Sequence, residues 1–398
     1  MVNRFGLTAM SMVNALGTTS EAVRAGLLRA DRHCLTPFVL KTTQMEVAVG
    51  RVRDPLPVFP PRLGAYNCRN HCLTYGAFLQ LEDAIRQTRQ TYGRQRVGVV
   101  LGSSTAGLDT SEEAYRFWKN GGILPMTYNY DKQHAMGSVS RLISEAADLK
   151  GPTYTISTAC SSSAKVFASA RALLECGICD AVVAGGVDTL CHTTLNGFEA
   201  LGTLTRTRCL PMSRNRSGFH IGEGAALFIL TREPAAINLL GIGESCDAYH
   251  MSSPHPEGVG AETAMRMALD DAGLAQQDIA YINLHGTGTP QNDLMEAKAV
   301  SRIFDRTPCS STKPLVGHCL GAAGAMEVGF CWLALEAADS DGCDLPPHSW
   351  DEQPDPEIEP LVLVKRGDRL PMSPQIAMMS NSFAFGGNNC SVIIAREH

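Results

Sequence analysis

Apolar residues in this chain fall into short unbroken runs closed by glycine, separated by longer stretches with a helical period. The runs at 97–101, closed by Gly102, and at 181–184, closed by Gly185 and Gly186, have the continuous apolar character of strands covered on both faces. Between them, 154–156 reads as a strand that passes through small residues into a helical pattern, with Cys160 at the handover. The spacing also predicts a strand over 4–10, a helix over 20–30, a proline-rich loop over 51–61 and an amphipathic helix over 73–92. From 108 to 149 the pattern is mixed and polar; Trp118, Met126, Tyr128 and Tyr130 are expected to pack there. A strand at 225–231 ends the first half. The second half repeats the logic: strand 239–248, helix 260–272 stopped by Gly273, strand 279–284, helix 293–304, a glycine-rich loop at 313–324 entering a helix at 325–335, and two short strands within 375–397. This alternation predicts an α/β fold of two similar tandem lobes, 1–233 and 234–398.

Composition narrows the function. A chain of 398 residues that is 44% hydrophobic with 37 glycines can bury a large core. A formal net charge of −6 argues against a general nucleic-acid binder. No apolar run approaches the roughly 20 residues needed to span a membrane, and the N-terminus lacks the pattern of a secretory leader. The 14 cysteines are scattered, unlike a disulfide scaffold. Cys176 and Cys179 form a CxxC without a second pair and are expected to be two packed thiols; Cys68 and Cys72, flanking His71, also lack a partner pair. No metal is assigned, and a reducing cytoplasm is the expected setting.

A thiol at a helix start meets unpaired N–H groups and the positive end of the macrodipole, which favour the nucleophilic thiolate. Free cysteine is also among the most buried residue types, so this stretch alone leaves Cys160 balanced between nucleophile and packing residue. His285, and Lys313 with His318, occupy equivalent loops beside apolar strands, where ligand chemistry collects in α/β sheets. His285-Gly-Thr-Gly-Thr is not a dinucleotide fingerprint, 321–324 is not a Walker loop, and no Gly-x-Ser-x-Gly elbow supports a serine hydrolase.

Five motifs carry a resemblance: Thr-Ala-Cys-Ser-Ser around Cys160, Asp-Ala-Tyr-His-Met-Ser-Ser-Pro at 247–254, His-Gly-Thr-Gly-Thr-Pro from His285, Lys-Pro-Leu-Val-Gly-His-Cys-Leu-Gly-Ala-Ala-Gly from Lys313, and Asn-Ser-Phe-Ala-Phe-Gly-Gly-Asn-Asn at 381–389. In order, and over nearly the whole chain, they resemble the elongating 3-oxoacyl-(acyl-carrier-protein) synthases of the thiolase-fold condensing enzymes. The resemblance implies a five-layer αβαβα sandwich. It implies that Cys160 takes an acyl chain from acyl carrier protein as a thioester. The N–H groups of Cys160 and Phe385 would form the oxyanion hole. His285 and His318 would stabilise the enolate left when a malonyl thioester loses carbon dioxide, and Claisen condensation would extend the chain by two carbons. Lys313 is expected within reach of His318 and Glu327, with Glu327 and Asp293 in supporting roles. Thr287, Thr289, Phe383, Phe385 and Thr105 would bind substrate. No cofactor is implied on the enzyme, since both acyl groups travel on the phosphopantetheine of the carrier.

Departures from the family pattern add expectations. Ala384 stands where the gating loop usually has glycine, which suggests altered movement of Phe385. Thr105 and the polar stretch 128–134, near the acyl pocket and dimer contact of relatives, suggest a specialised polyene or polyketide pathway. Arg62, Arg69, Arg206 and Arg208 are candidates for docking an acidic carrier. A homodimer, or a heterodimer with a homologous chain-length-factor-like subunit, is expected. The competing readings are a non-catalytic partner subunit and a thiolase. The first lacks the cysteine present here as Cys160; the second uses another cysteine near the C-terminus, where this chain has Phe385-Gly386-Gly387-Asn388 instead, with Cys390 close by but made redundant by the paired histidines.

Overall fold

The structure is a computed structural model that describes residues 4–30 and 34–397. The first half comprises β1 (Phe5–Val13), α1 (Ser20–Leu28), β2 (Leu35–Val39), β3 (Glu46–Gly50), α2 (Arg69–Tyr92), β4 (Val97–Gly102) and α3 (Leu108–Gly121). It continues with α4 (Ser138–Ala147), β5 (Thr153–Ile156), α5 (Ser162–Glu175), β6 (Ala181–Asp188), α6 (His192–Ala200), β7 (Ile221–Gly222) and β8 (Gly224–Thr231). The second half runs through β9 (Ile237–Cys246), α7 (Val259–Ala272), β10 (Ile279–Asn283), α8 (Pro290–Ser301), β11 (Pro308–Ser310), α9 (Lys313–Val316) and α10 (Ala323–Glu336). It closes with β12 (Cys343–Asp344), β13 (Val362–Leu363), β14 (Arg369–Leu370), β15 (Gln375–Phe383) and β16 (Asn388–Glu397).

One strand order occurs twice. The first half pairs as β1-β8-β6-β4-β5 and the second as β9-β16-β15-β10-β11, with β13 added at the far edge. In each half the last three strands are mutually parallel and the first two run antiparallel to their neighbours. The halves meet where Phe5 and Gly6 of β1 face Leu239 and Asn238 of β9. Helices α5 and α10 lie between the two half-sheets and share one core with them, including Phe167, Phe228, Phe330 and Met378. Helices α2 and α4 cover the outer face of the first half, and α7 with α8 covers that of the second. This is the αβαβα sandwich of the thiolase fold.

Sequence explains the layering. Helix α10 is buried almost all round, as a middle-layer helix must be, and its buried residues are apolar or small except Glu327. Gly324 is needed because a Cβ there would lie 2.6 Å from the Ala164 backbone nitrogen, so α5 and α10 cross nearly in backbone contact. Strands β4, β6 and β8 are buried along their whole length, which accounts for their unbroken apolar runs.

Several expectations are corrected. The stretch 108–149 holds α3, a π-helical turn at Tyr130–His134, and α4. Trp118, Met126 and Tyr130 do not pack there but are exposed, while Tyr128 is half-buried with its hydroxyl on Ser111 Oγ at 2.8 Å. On α3 only Ala114 is buried, so its aromatic residues face outward. The sequence pattern does not predict the small sheet β2-β3-β7, because its strands are only two to five residues long. Cys176 is exposed and Cys179 buried, so the CxxC is not a packed pair of thiols. Cys68 Sγ lies 2.6 Å from His71 Nδ1. No described helix is long and apolar enough to cross a membrane.

Candidate active site

The turn between β5 and α5 presents Cys160. Ala159 takes a left-handed conformation (φ 53°), a strained state for a residue with a Cβ. Ser162 holds the turn: its hydroxyl donates to Ala159 O at 2.6 Å and accepts from Thr158 N at 2.8 Å. The surrounding residues must be small, since a Cβ on Gly102 or Gly186 would collide with Ser163.

His318 Nε2 stands 3.0 Å from Cys160 Sγ. The His318 backbone is held on both sides by the small sheet, donating to His220 O at 2.6 Å and accepting from Gly222 N at 2.9 Å. The His285 and His318 rings meet edge to face at 5.5 Å. Burial, reinforced by the Lys313 charge, holds both imidazoles well below the usual histidine range, so both are neutral. Lys313 Nζ donates to Glu327, to the His285 carbonyl and, at 3.4 Å, to His285 Nδ1. That last bond makes Nδ1 an acceptor and places the His285 proton on Nε2. Lys313 is therefore anchored on His285 and Glu327; its effect on His318 is through charge rather than a hydrogen bond. Burial pushes Glu327 up to about 7 against the lowering pull of Lys313.

A cavity of about 280 Å³ opens onto these groups. Cys160, His285, His318, Thr287, Thr289, Phe383, Ala384 and Phe385 all line it. The Thr287 and Thr289 hydroxyls lie 2.9 Å apart. Burial pushes the Cys160 thiol up to about 12, outweighing the Lys313 charge and the Phe385 N–H directed at the sulfur. The thiolate expected from the helix start is thus overruled by desolvation: Cys160 lies two residues before α5, fully inside the protein.

Other candidates sit elsewhere. Thr105 does not line the cavity; its hydroxyl donates to the buried carboxylate of Asp188 at 2.6 Å. Residues 128–134 do not reach the cavity, and Tyr128, Asn129 and Gln133 border a separate surface cleft with Phe117. Arg69 is no docking residue, because it forks onto Glu223, whose carboxylate is fully buried, at 2.9 and 2.5 Å. Arg62 donates to the carbonyls of Glu145 and Ala146, both at 3.0 Å. Arg206 and Arg208 are exposed and follow Leu201, Gly202 and Thr203 of the cavity rim. Ala384 is extended (φ −100°), a conformation open to any residue, and the left-handed positions of the loop are Gly386 and Gly387. Asp293 accepts from the Met212 and Gly288 backbone nitrogens at 2.8 and 3.1 Å. Cys390 is buried in β16 opposite Glu244 and does not line the cavity, which leaves it unsuited to the role of a thiolase's second cysteine.

Sequence reasoning missed three groups. Asp188 ends β6 and gathers donors from Ser103, Ser104, Thr105 and Gly321, tying the β4 and α10 approaches together. Glu296 accepts from the His285 and Gly286 nitrogens at 2.7 and 2.6 Å, and its signal was its place one turn after Asp293. Phe198 and Phe219 link the Phe385 ring to His318 through contacts of 5.7, 5.4 and 5.1 Å.

A buried thiol facing two neutral imidazoles, on a doubled five-layer sandwich, is the site of a thiolase-fold condensing enzyme. The family model for the beta-ketoacyl synthase N-terminal domain matches residues 74–236, and that for the C-terminal domain matches 237–339. The chain belongs to the beta-ketoacyl synthase family, whose members are decarboxylating, condensing acyltransferases. It is 36% identical over 313 residues to nodulation protein E of Rhizobium meliloti strain 1021, covering 74% of each chain. It is 32% identical over 316 residues to 3-oxoacyl-[acyl-carrier-protein] synthase 2 of Staphylococcus aureus, covering 75% of this chain and 76% of that one. Among solved structures, the ketosynthase ApeO in complex with its chain length factor ApeC, from Xenorhabdus doucetiae, superposes with a TM-score of 0.92 at 39% identity, covering 99% of this chain; this chain covers 98% of that structure.

Proposed function

We propose that Cys160 is the acyl acceptor of a 3-oxoacyl-(acyl-carrier-protein) synthase, with His285 and His318 as the enolate-stabilising pair. The observation that carries this reading is the 3.0 Å approach of His318 Nε2 to Cys160 Sγ in a cavity that His285 also lines. In acyl transfer the Cys160 sulfur attacks the carrier thioester and the thiol proton passes to the departing phosphopantetheine sulfur, while His318 keeps its own proton on Nε2 beside the reacting sulfur. The oxyanion of this step sits on the N–H groups of Cys160 and Phe385. A malonyl thioester then enters and loses carbon dioxide. The enolate oxygen accepts hydrogen bonds from the Nε2–H groups of His285 and His318, and the carbanion attacks the acyl-Cys160 carbonyl, releasing the sulfur. Neutral imidazoles suit this step because it needs donors rather than a proton acceptor. Lys313, clamped between Glu327 and His285, fixes the tautomer of His285. No enzyme-bound cofactor takes part; both acyl groups arrive on acyl carrier protein, for which Arg206 and Arg208 offer positive charge beside the rim.

The physiological partner we propose is a homologous chain-length-factor-like subunit, and the pathway a specialised polyene or polyketide one. The exposed aromatic face of α3 and the open outer edge of β5 support a large second subunit. Kinship with a ketosynthase that is paired with a chain length factor supports the kind. Thr105 and residues 128–134 lie outside the cavity, and kinship with that ketosynthase supports the pathway. Mass spectrometry of acyl-Cys160 after incubation with acyl carriers, alongside malonyl-carrier decarboxylation, tests the reaction. Absence of both in the purified complex would refute it. Preference for saturated over conjugated acyl chains would refute the pathway.

A further inference from the structure

The site so far uses two of the buried histidines. His348, in the irregular segment after β12, is also buried and bridges two loops that the mechanism depends on. Its Nδ1 accepts from the backbone N–H of Ser311 at 3.1 Å, and its Nε2 stands 3.0 Å from the carbonyl of Pro211, which can only accept. Both contacts are satisfied by one species, the neutral ring with its proton on Nε2. Burial favours the same species by holding this histidine down at about 4.

Ser311 passes the constraint on. Its hydroxyl donates to Gly286 O at 2.6 Å, and its Oγ lies 3.4 Å from the Lys313 backbone nitrogen. Gly286 follows His285 and is left-handed (φ 41°), packed so closely that a Cβ there would lie 2.5 Å from Ser311 Cβ. Two residues after Ser311, Lys313 reaches back to His285 Nδ1 and the His285 carbonyl. Among the described residues no such chain of hydrogen bonds leads from His348 to Cys160, whose turn is held by Ser162 and whose sulfur faces His318.

We infer that His348 is a positioning residue for the decarboxylation half-reaction, acting through Ser311 to hold the His285 and Lys313 loops in register. The inference rests on the role proposed above for His285. It requires the two half-reactions to separate: formation of acyl-Cys160 does not depend on the His285 loop, whereas malonyl decarboxylation does.

Three variants dissect the bridge. His348→Asn keeps an acceptor near the Nδ1 position, His348→Gln keeps a donor near the Nε2 position, and His348→Leu removes both. A misplaced catalytic donor costs on the order of 100-fold. His348→Leu and His348→Gln are therefore expected to lose roughly 10- to 100-fold in kcat for malonyl-carrier decarboxylation, with acyl-Cys160 formation held within about 3-fold. His348→Asn should recover most of that loss. Ser311→Ala breaks the chain one bond further along and should show the same split; it carries the test if His348→Leu fails to fold. Parental decarboxylation in His348→Gln, equal impairment of the Asn and Gln variants, or a parallel fall in both half-reactions would overturn the inference while leaving the proposed function standing. A parent enzyme that forms acyl-Cys160 but does not decarboxylate malonyl carrier would sink the role of His285 and this inference with it.

Discussion

Cys160 must lose a proton before it can react, and its surroundings keep that proton on. With burial pushing the thiol up to about 12, the thiolate fraction grows tenfold per pH unit through the neutral range without levelling off. Alkylation of Cys160 by iodoacetamide, followed by peptide mass spectrometry, should therefore accelerate steadily from pH 7 to about 10. A plateau near pH 7 would mean the helix start wins after all. Proton transfer to the departing sulfur must then be coupled to attack, with His318 Nε2 set 3.0 Å from the Cys160 sulfur. His318→Ala is expected to slow both half-reactions, and His285→Ala chiefly decarboxylation, each by roughly 100- to 1,000-fold, as for loss of one preorganised donor. Rapid-quench measurement of the two steps distinguishes them. The arginines divide in the same way. Arg69→Ala would strand the buried Glu223 carboxylate and cost about 3–5 kcal/mol in urea unfolding. Reversing Arg206 and Arg208 to glutamate should instead raise KM for the carrier several-fold, most strongly at low salt, with the melting temperature unchanged.

Among the elements, α8 shows most clearly how the fold stores the site. Its side chains Asp293 and Glu296 reach back to the loop before the helix, so Gly288, Gly286 and His285 are held from within the second half. Burial raises Glu296 to about 8 and Glu327 to about 7, so the folded protein binds protons that the unfolded chain, titrating near 4.5, releases. For such acids stability is fullest below the unfolded value and is lost as pH rises through the folded one. The buried histidines His285, His318, His220, His71 and His348 act oppositely: they are depressed, so stability falls as pH drops below their unfolded value near 6.5. Above pH 6.5 only the acids of these two groups still contribute. The melting temperature should therefore decline between about pH 6.5 and 8, and the decline should shallow in Glu296→Gln. A rise across that window would contradict the assignment. Elements of this kind were legible where burial is symmetrical. The runs of β4, β6 and β8 announced themselves because both faces are covered, and α10 because it is apolar or small except at Glu327 and Glu336. Helix α3 was not, since the helical period remains while the aromatic face points outward, leaving no core to identify it. The Cys160, His285 and His318 motifs were readable because chemistry restricts their residue types, whereas the hydrogen bonds of Asp188 join positions 83 or more residues apart and those of His348 positions 37 and 137 apart.

At the scale of the molecule, the repeated strand order gives each half one edge that ends in a short parallel strand, but the two edges differ. In the second half β11 is extended by β13, whereas in the first half β5 ends the sheet. The segment carrying Tyr115, Phe117, Trp118, Ile123, Leu124, Met126 and Tyr130, all exposed, connects through the turn at Tyr130–His134 to α4, which packs on β5. Monomers rarely leave so many large apolar side chains together in water. An open edge strand is likewise a template for pairing unless something covers it. A subunit of the same architecture, related by an approximate two-fold axis, would cover both at once. The covering chain is expected to be a homologue lacking the cysteine, so that one site operates per pair. Phe117→Asp combined with Trp118→Asp should then release this chain from the coexpressed complex, as read by size-exclusion chromatography with light scattering, while the melting temperature of the released chain matches that of the parent expressed alone. Retention of the complex by the double variant would place the partner on another face. A stable, fully active homodimer of the chain alone would show that the second subunit is a copy of the first.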